Sequence, residues 1–241
     1  MESILADKLR NGAAQLGLTL GDKEVKLYLK YLESLIIWNE KFNLTAIREP
    51  DEILVKHFLD SMAVLPYIKE KFNLRLLDVG TGAGFPGIPV KIVRPEIDVV
   101  LLDSLNKRIN FLNHLISELQ LKQITCIHGR AEDYGRQEEY REAFDLVTSR
   151  AVARLSVLAE LCLPFVKVGG VFIAYKGPKS REEIEEARGA LNILGGELTR
   201  HVEVKLPGIE EVRSLLFISK ERPTSDKYPR KAGLPEKKPL S

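Results

Sequence analysis

Apolar residues recur at helical spacing through the first part of the chain. From Leu74 onward they gather instead into short continuous runs that stop at glycine or aspartate. Residues 3–18 read as a short amphipathic helix. A longer helix follows Gly21-Asp22, where Val25, Leu27, Leu29, Leu32, Leu35, Ile36 and Trp38 are interleaved with Lys and Glu, and Asp22 is placed to cap its start. A third follows Glu49-Pro50-Asp51 and carries Ile53, Leu54, His57, Phe58, Met62 and Leu65. Residues 1–72 are therefore predicted to form an N-terminal helical extension.

The later runs read as buried strands at residues 74–79, 98–103, 124–128, 144–149 and 171–175, separated by helices near 86–93, 107–119 and 150–163. Strands alternating with helices predict a parallel sheet covered on both faces. After a charged helix at 180–193, residues 197–206 and 213–219 flank a loop with Pro207-Gly208 and predict an antiparallel pair at one edge. The expected fold is α/β, a Rossmann-like sheet of seven strands over residues 73–221, mostly parallel with that edge pair last. Residues 222–241 contain four prolines and many charges, which predicts an extended, unpacked tail.

With 44% hydrophobic and 29% charged residues, the 241-residue chain can bury a full α/β core. No apolar run approaches the length of a membrane span. Glu2, Asp7, Lys8 and Arg10 do not suit a secretory signal. A cytoplasmic protein without membrane contact is expected. Cys126 and Cys162 have no metal-ligand spacing, and Cys162 lies in the apolar stretch Leu161-Cys162-Leu163-Pro164, so an inert thiol and no metal are expected. Nothing demands a dimer; a monomer is expected. The net charge of +2 is uneven: residues 220–241 hold seven Lys/Arg and three Asp/Glu, leaving the rest of the chain near −2. Such a basic tail points to a polyanionic partner.

The most informative segment is Asp78-Val79-Gly80-Thr81-Gly82-Ala83-Gly84-Phe85-Pro86-Gly87, a strand end turned by glycines into a helix. Glycines there allow a ligand to approach the backbone at the carboxyl end of the sheet. Two ligands compete for it. Gly82-x-Gly84-x-x-Gly87 fits the dinucleotide fingerprint, with Asp103 as ribose acceptor, and would serve a nicotinamide-dependent oxidoreductase. Asp78 with Gly80, Gly82 and Gly84 fits the S-adenosyl-L-methionine loop, with the Asp78 carboxylate near the cationic amino acid portion and Asp103 again at the ribose. Gly129-Arg130-Ala131-Glu132-Asp133, after the third strand, and the antiparallel edge pair favour S-adenosyl-L-methionine. Asp103 as a mere helix cap is the plainer alternative.

Three blocks resemble the GidB family. They are Trp38-Asn39-Glu40-Lys41-Phe42-Asn43-Leu44-Thr45-Ala46 with His57-Phe58-Leu59-Asp60-Ser61; the glycine segment through Pro89 with Leu102-Asp103-Ser104-Leu105-Asn106-Lys107-Arg108; and Ser149-Arg150-Ala151 with Tyr175-Lys176-Gly177. Tyr228-Pro229-Arg230-Lys231-Ala232-Gly233 also resembles the family's ending. The resemblance implies a class I methyltransferase sheet. It also implies cofactor contacts at Gly80, Phe85, Ala131, Glu132 and Arg150, with Asp103 and Ser104 near the ribose. The substrate it implies is N7 of a guanine in a 16S ribosomal RNA loop, on free RNA or in the small ribosomal subunit.

That chemistry suits the residues present. Guanine N7 carries an in-plane lone pair and no proton, so direct displacement needs no base at the attacked atom, only alignment. There is no Pro-Cys pair of the kind pyrimidine C5 transfer needs. There is no Asn/Asp-Pro-Pro-aromatic motif for amino groups either, because the position after the fourth strand reads Thr148-Ser149-Arg150. A-form RNA hides N7 in its deep major groove, so the base must be unpaired or flipped. Asn39, Asn43, Asp60 and His57 are candidate RNA contacts. Asp60 is suited to accept from guanine N1 and its amino group. Arg150 is expected beside the cofactor, and Lys176 facing phosphate or guanine O6. Helix ending by Asn43 and Thr45, helix capping by Asp60 and Ser61, and strand capping by Lys176 are the structural alternatives. Lys227, Arg230, Lys231, Lys237 and Lys238 are expected to contact phosphates, or else to lie on a solvated end. A non-enzymatic RNA-binding protein that retains a cofactor fold also fits these features.

Overall fold

The computed structural model describes residues 2–68, 73–150 and 153–241; Phe72, at the expected end of the extension, and Ala151 of the third block lie outside them. Seven strands form one sheet: β1 (Arg75–Val79), β2 (Asp98–Asp103), β3 (Ile124–His128), β4 (Phe144–Arg150), β5 (Val166–Lys176), β6 (Gly196–Val204) and β7 (Arg213–Lys220). Their order is β3-β2-β1-β4-β5-β7-β6. The pairs among β1 to β5 are parallel, and β7 runs antiparallel to both β5 and β6. This is the seven-stranded arrangement expected, with β7 inserted inside the edge strand β6. The strand order reverses between β1 and β4, the place where open sheets of this kind bind ligands.

The helices are α1 (Glu2–Gln15), α2 (Asp22–Phe42), α3 (Pro50–Ile53), α4 (Asp60–Met62), α5 (Gly87–Val93), α6 (Asn106–Glu118), α7 (Ala131–Tyr134), α8 (Leu155–Cys162), α9 (Ser180–Leu194) and α10 (Leu234–Lys237). Between α3 and α4 the helix widens into a π turn, Leu54–Leu59, carrying His57. Such turns shift side chains out of helical register and are frequent at functional sites. Among the described residues, no helix is long and apolar enough to cross a membrane. Nor is there any group of three His, Cys, Asp or Glu able to hold a metal.

Strands β1, β2 and β4 are buried along nearly their whole length because helices cover both faces, which explains continuous apolar runs in place of alternation. The N-terminal helices supply much of one cover: Leu9, Tyr28, Tyr31, Leu35 and Phe58 share a buried cluster with Ile88, Leu76, Val99 and Leu101. The opposite face packs Leu77, Val79, Val147 and Phe172 against Leu155, Leu158, Cys162 and Leu191. Cys162 is fully buried, and burial pushes its thiol well above the usual range.

The tail departs from expectation. Instead of extending, it folds back over α7, α8 and α9. Arg141 donates to the carbonyls of Thr224, Ser225 and Tyr228 at 2.6, 3.2 and 2.9 Å. Arg230 pairs at 2.6 Å with Glu160, which has no exposed surface. Buried Lys220 donates to the Thr224 hydroxyl at 2.5 Å and lies 3.3 Å from Glu142. Arg230 looked solvated only because its partner Glu160 lies far away in sequence, whereas Lys227, Lys231 and Lys237 are exposed.

Candidate functional site

At the end of β1 the chain turns through Gly80, Gly82 and Gly84, with φ of 69°, 63° and 102°. The Gly80 and Thr81 N–H groups both donate to the Leu102 carbonyl, at 2.9 and 3.1 Å, tying the loop to β2. A Cβ on Gly84 would lie 2.7 Å from the Tyr31 hydroxyl and 2.8 Å from Ile88, whereas one on Gly82 would meet nothing within 4 Å. Gly84 is thus glycine for packing as well as φ, while Gly82 keeps its backbone open to a ligand.

Asp78 does not face that ligand space. It is fully buried beneath the loop, accepting from the Thr81 hydroxyl at 2.7 Å, the Gly87 N–H at 2.9 Å and the Thr148 hydroxyl at 3.0 Å. Burial raises its pKa to about 6 despite those three donors. The expectation of a carboxylate beside the ligand's cationic end is corrected on this point: Asp78 shapes the loop from below.

Above the loop lies a cavity of about 410 Å³, lined by Gly80, Gly82, Phe85, Asp103, Ser104 and Arg150 of the expected residues. Leu44, Thr45, His57, Thr81, Ala83 and Arg108 complete its wall. A second cavity of about 390 Å³ contains Asp60, Lys176, Tyr175, Lys56 and Arg213. Arg150 and His57 line both cavities and form the partition between them.

The partition is tightly organised. Arg150 Nη1 donates to Asp60 Oδ2 at 2.8 Å and to the Lys56 carbonyl at 3.1 Å, and its guanidinium lies 4.9 Å from the centre of the Phe85 ring. Arg150 Nη2 lies 3.1 Å from His57 Nδ1. A guanidinium only donates, so Nδ1 accepts, and the neutral ring carries its proton on Nε2. Nε2 then donates to the Thr45 hydroxyl at 2.8 Å. Burial, reinforced by the Arg150 charge, lowers the His57 pKa to about 3. The imidazole also stacks on Phe85, centroids 4.5 Å apart. The two cavities therefore meet at an uncharged ring and a charge already neutralised by Asp60.

Other expected residues sit differently. Asn39 lines neither cavity; its side-chain oxygen accepts the Thr45 N–H at 2.9 Å and its carbonyl accepts the Asn43 N–H, so it terminates α2. Asn43 is the left-handed cap of that helix. Ala131 and Glu132 also fall outside the cavity walls, and Glu132 accepts the Gly233 N–H of the tail at 2.9 Å. Lys176 reaches the second cavity but is held by Glu183 at 2.6 Å and by the Ala153 carbonyl at 2.5 Å. Arg108, Arg213 and Lys56 were not singled out as site residues in the sequence. For Arg108 a signal existed, because it stands five residues after Asp103, in the first turn of the helix that follows β2. Arg213 opens β7, and only the folded sheet brings it within 3.7 Å of Asp60.

The profile of the GidB family, described as rRNA small subunit methyltransferase G, matches residues 24–212. A ribosomal RNA small subunit methyltransferase G of Acetivibrio thermocellus is 53% identical over 97% of this chain and 96% of its own length. One of Clostridium kluyveri is 51% identical over 93% and 94%. Among solved structures, a precorrin-6y C5,15-methyltransferase from Geobacter metallireducens shares the fold alone, at TM-score 0.51 and 14% identity, over 75% of this chain and 91% of that one. The length and identity of the two relatives, together with the profile match, place this chain in the GidB family.

Proposed function

We propose that the protein methylates N7 of a guanine in bacterial 16S ribosomal RNA, with S-adenosyl-L-methionine in the glycine-loop cavity and the target base in the adjoining one. The observation that carries this reading is the pair of cavities sharing the Arg150–His57 partition. The first cavity fits a nucleoside: Gly82 leaves its backbone open, and Asp103 presents a carboxylate at the wall. Gly80, Gly82 and Phe85 would hold the cofactor, with Asp103 and Ser104 at its ribose. Once bound, the cofactor supplies a methyl group activated on a positive sulfur.

The residues' own contribution is positioning and electrostatics. His57, neutral above about pH 3, offers the cofactor an uncharged face. A protonated ring there would repel a sulfonium. Asp60 neutralises Arg150 for the same reason, and the pair can still orient guanine by its polar edge. No proton needs to be removed from the attacked nitrogen. On the wall of the second cavity Lys56, Arg150, Lys176 and Arg213 outnumber Asp60 and Glu183, a net positive lining suited to RNA phosphate or guanine O6. Such a substrate places the protein with ribosomes, in the cytoplasm.

The test is transfer of labelled methyl to 16S ribosomal RNA, as free RNA and as small subunits, followed by mass mapping of the product. Label on N7 of a single guanine is expected. Tight binding of NAD with no affinity for S-adenosyl-L-methionine would reject the reading, and so would label at another atom.

A further inference from the structure

The acceptor assigned to the ribose is already engaged within the chain. Asp103 Oδ2 accepts the Gly82 N–H at 2.9 Å, and Oδ1 accepts the Leu105 N–H at 2.9 Å. Arg108 Nη1 lies 3.1 Å from Oδ2 and 3.4 Å from Oδ1. A carboxylate offers about four lone-pair positions, so two backbone donors and a bifurcated guanidinium leave little for two ribose hydroxyls. The backbone donors are fixed by the glycine loop and by the turn into α6. Arg108 is the movable one: it ends in a flexible side chain, lines the same cavity, and is 31% exposed where Asp103 is 2% exposed. It is also poorly satisfied. Its Nε is buried and has no hydrogen-bond partner among the described residues.

We propose that Arg108 is a displaceable plug that holds Asp103 until the cofactor ribose takes its place, and that the released guanidinium then pairs with a phosphate of the RNA substrate. This rests on reading the glycine-loop cavity as the cofactor site. The phosphate follows from charge. A guanidinium keeps its proton at any working pH, Asp103 is the only carboxylate that Arg108 contacts among the described residues, and the substrate that must reach this rim is a polyanion. Cofactor and RNA then reinforce each other's binding through one side chain, and the coupling is equal in both directions.

The experiment uses the full chain. S-adenosylhomocysteine is titrated by calorimetry, and binding of deproteinised small-subunit ribosomal RNA is measured across a salt series with and without it. Wild-type protein should bind RNA about fivefold or more tighter when the nucleoside is present. Its plot of log affinity against log salt should steepen by about 0.7–0.9 for the added phosphate contact. Arg108→Met should bind the nucleoside more tightly than wild type and lose both RNA effects. Arg108→Gln, which keeps a polar head, should show the same trends and serves if the first variant does not fold. Unchanged or weaker nucleoside binding in these variants overturns the plug, as does RNA coupling that survives the substitution. Wild-type protein with no affinity for the nucleoside fails differently: it removes the cofactor site itself.

Discussion

Arg150 and Asp60, ninety positions apart in the chain, form an ion pair at 2.8 Å in which the side chains are only 11% and 8% exposed. The pair joins the last residue of β4 to the helical extension, so the partition exists only when both parts are folded. Removing one member of such a buried pair strands the other charge, at a cost of about 3–5 kcal/mol. Asp60→Ala should therefore lower the urea-unfolding free energy by about that much, while Asp60→Asn, which retains an acceptor, loses less. Arg150→Ala should cut kcat/KM by about a hundredfold or more through lost alignment. An Arg150→Ala enzyme of full activity would remove this residue from the site.

His57 makes a pH prediction whose sign is fixed by its surroundings. Its pKa falls from 6.5 to about 3 on folding, chiefly through burial. The unfolded chain therefore binds the proton more readily. The stability contribution is complete above about pH 6.5 and is lost progressively as pH falls toward 3. Asp78 acts in the opposite sense: its pKa is raised to about 6, so its contribution is complete below the unfolded value near 3.8 and disappears as pH rises through 6. Denaturant melts at pH 7.5, 5.5 and 4.5 should show His57→Gln losing less stability on acidification than wild type. Parallel pH profiles for the two proteins would contradict the buried neutral imidazole.

The glycine loop separates packing from ligand access. Gly84→Ala combines φ 102° with a Cβ 2.7 Å from the Tyr31 hydroxyl, so overpacking of about 1–3 kcal/mol is expected. Gly82→Ala meets no neighbour, so its fold should suffer only the left-handed strain of about 1–2 kcal/mol while its methyl intrudes on the ligand. Thermal melts paired with nucleoside titration should give a larger stability loss for Gly84→Ala and, per unit of stability lost, a larger affinity loss for Gly82→Ala. The reverse ranking would misplace the ligand.

Local pattern made much of this legible. Continuous apolar runs marked β1 to β5, the loop at Pro207-Gly208 marked β6 and β7 as the pair flanking it, and the shift from helical spacing to runs located the start of the sheet. The loop residues Gly80, Gly82 and Phe85, with Asp103 and Arg150, reach the cavity because each lies at a strand end or in the turn after one. What escaped depends on distant pairing. Asp78 belongs to the same motif as the cavity glycines, yet the pleat sends its side chain to Thr148 on β4 instead of toward the cavity. Glu132 is claimed by Gly233, a hundred and one residues later. Arg213 enters the site only through the insertion of β7 beside β5, which a strand count does not reveal.

The tail gives a prediction that distinguishes its two kinds of charge. Arg230 donates to Glu160 from its backbone N–H, Nε and Nη2, at 2.7, 2.8 and 2.6 Å, and Glu160 has no solvent contact of its own. Deleting residues 225–241, or Arg230→Met alone, leaves that carboxylate buried without its cation and should destabilise the fold by about 3–5 kcal/mol. Lys227, Lys231 and Lys237 are exposed, and none makes a salt bridge among the described residues. Replacing these three with Gln should leave the melting temperature nearly unchanged. If the tail touches phosphate, the same triple variant should reduce the salt slope of RNA binding by about 0.7–0.9 per lost contact. An unaltered slope in a normally stable triple variant would make the tail a structural strap alone, whose basic residues serve α7, α8 and α9 and not the RNA.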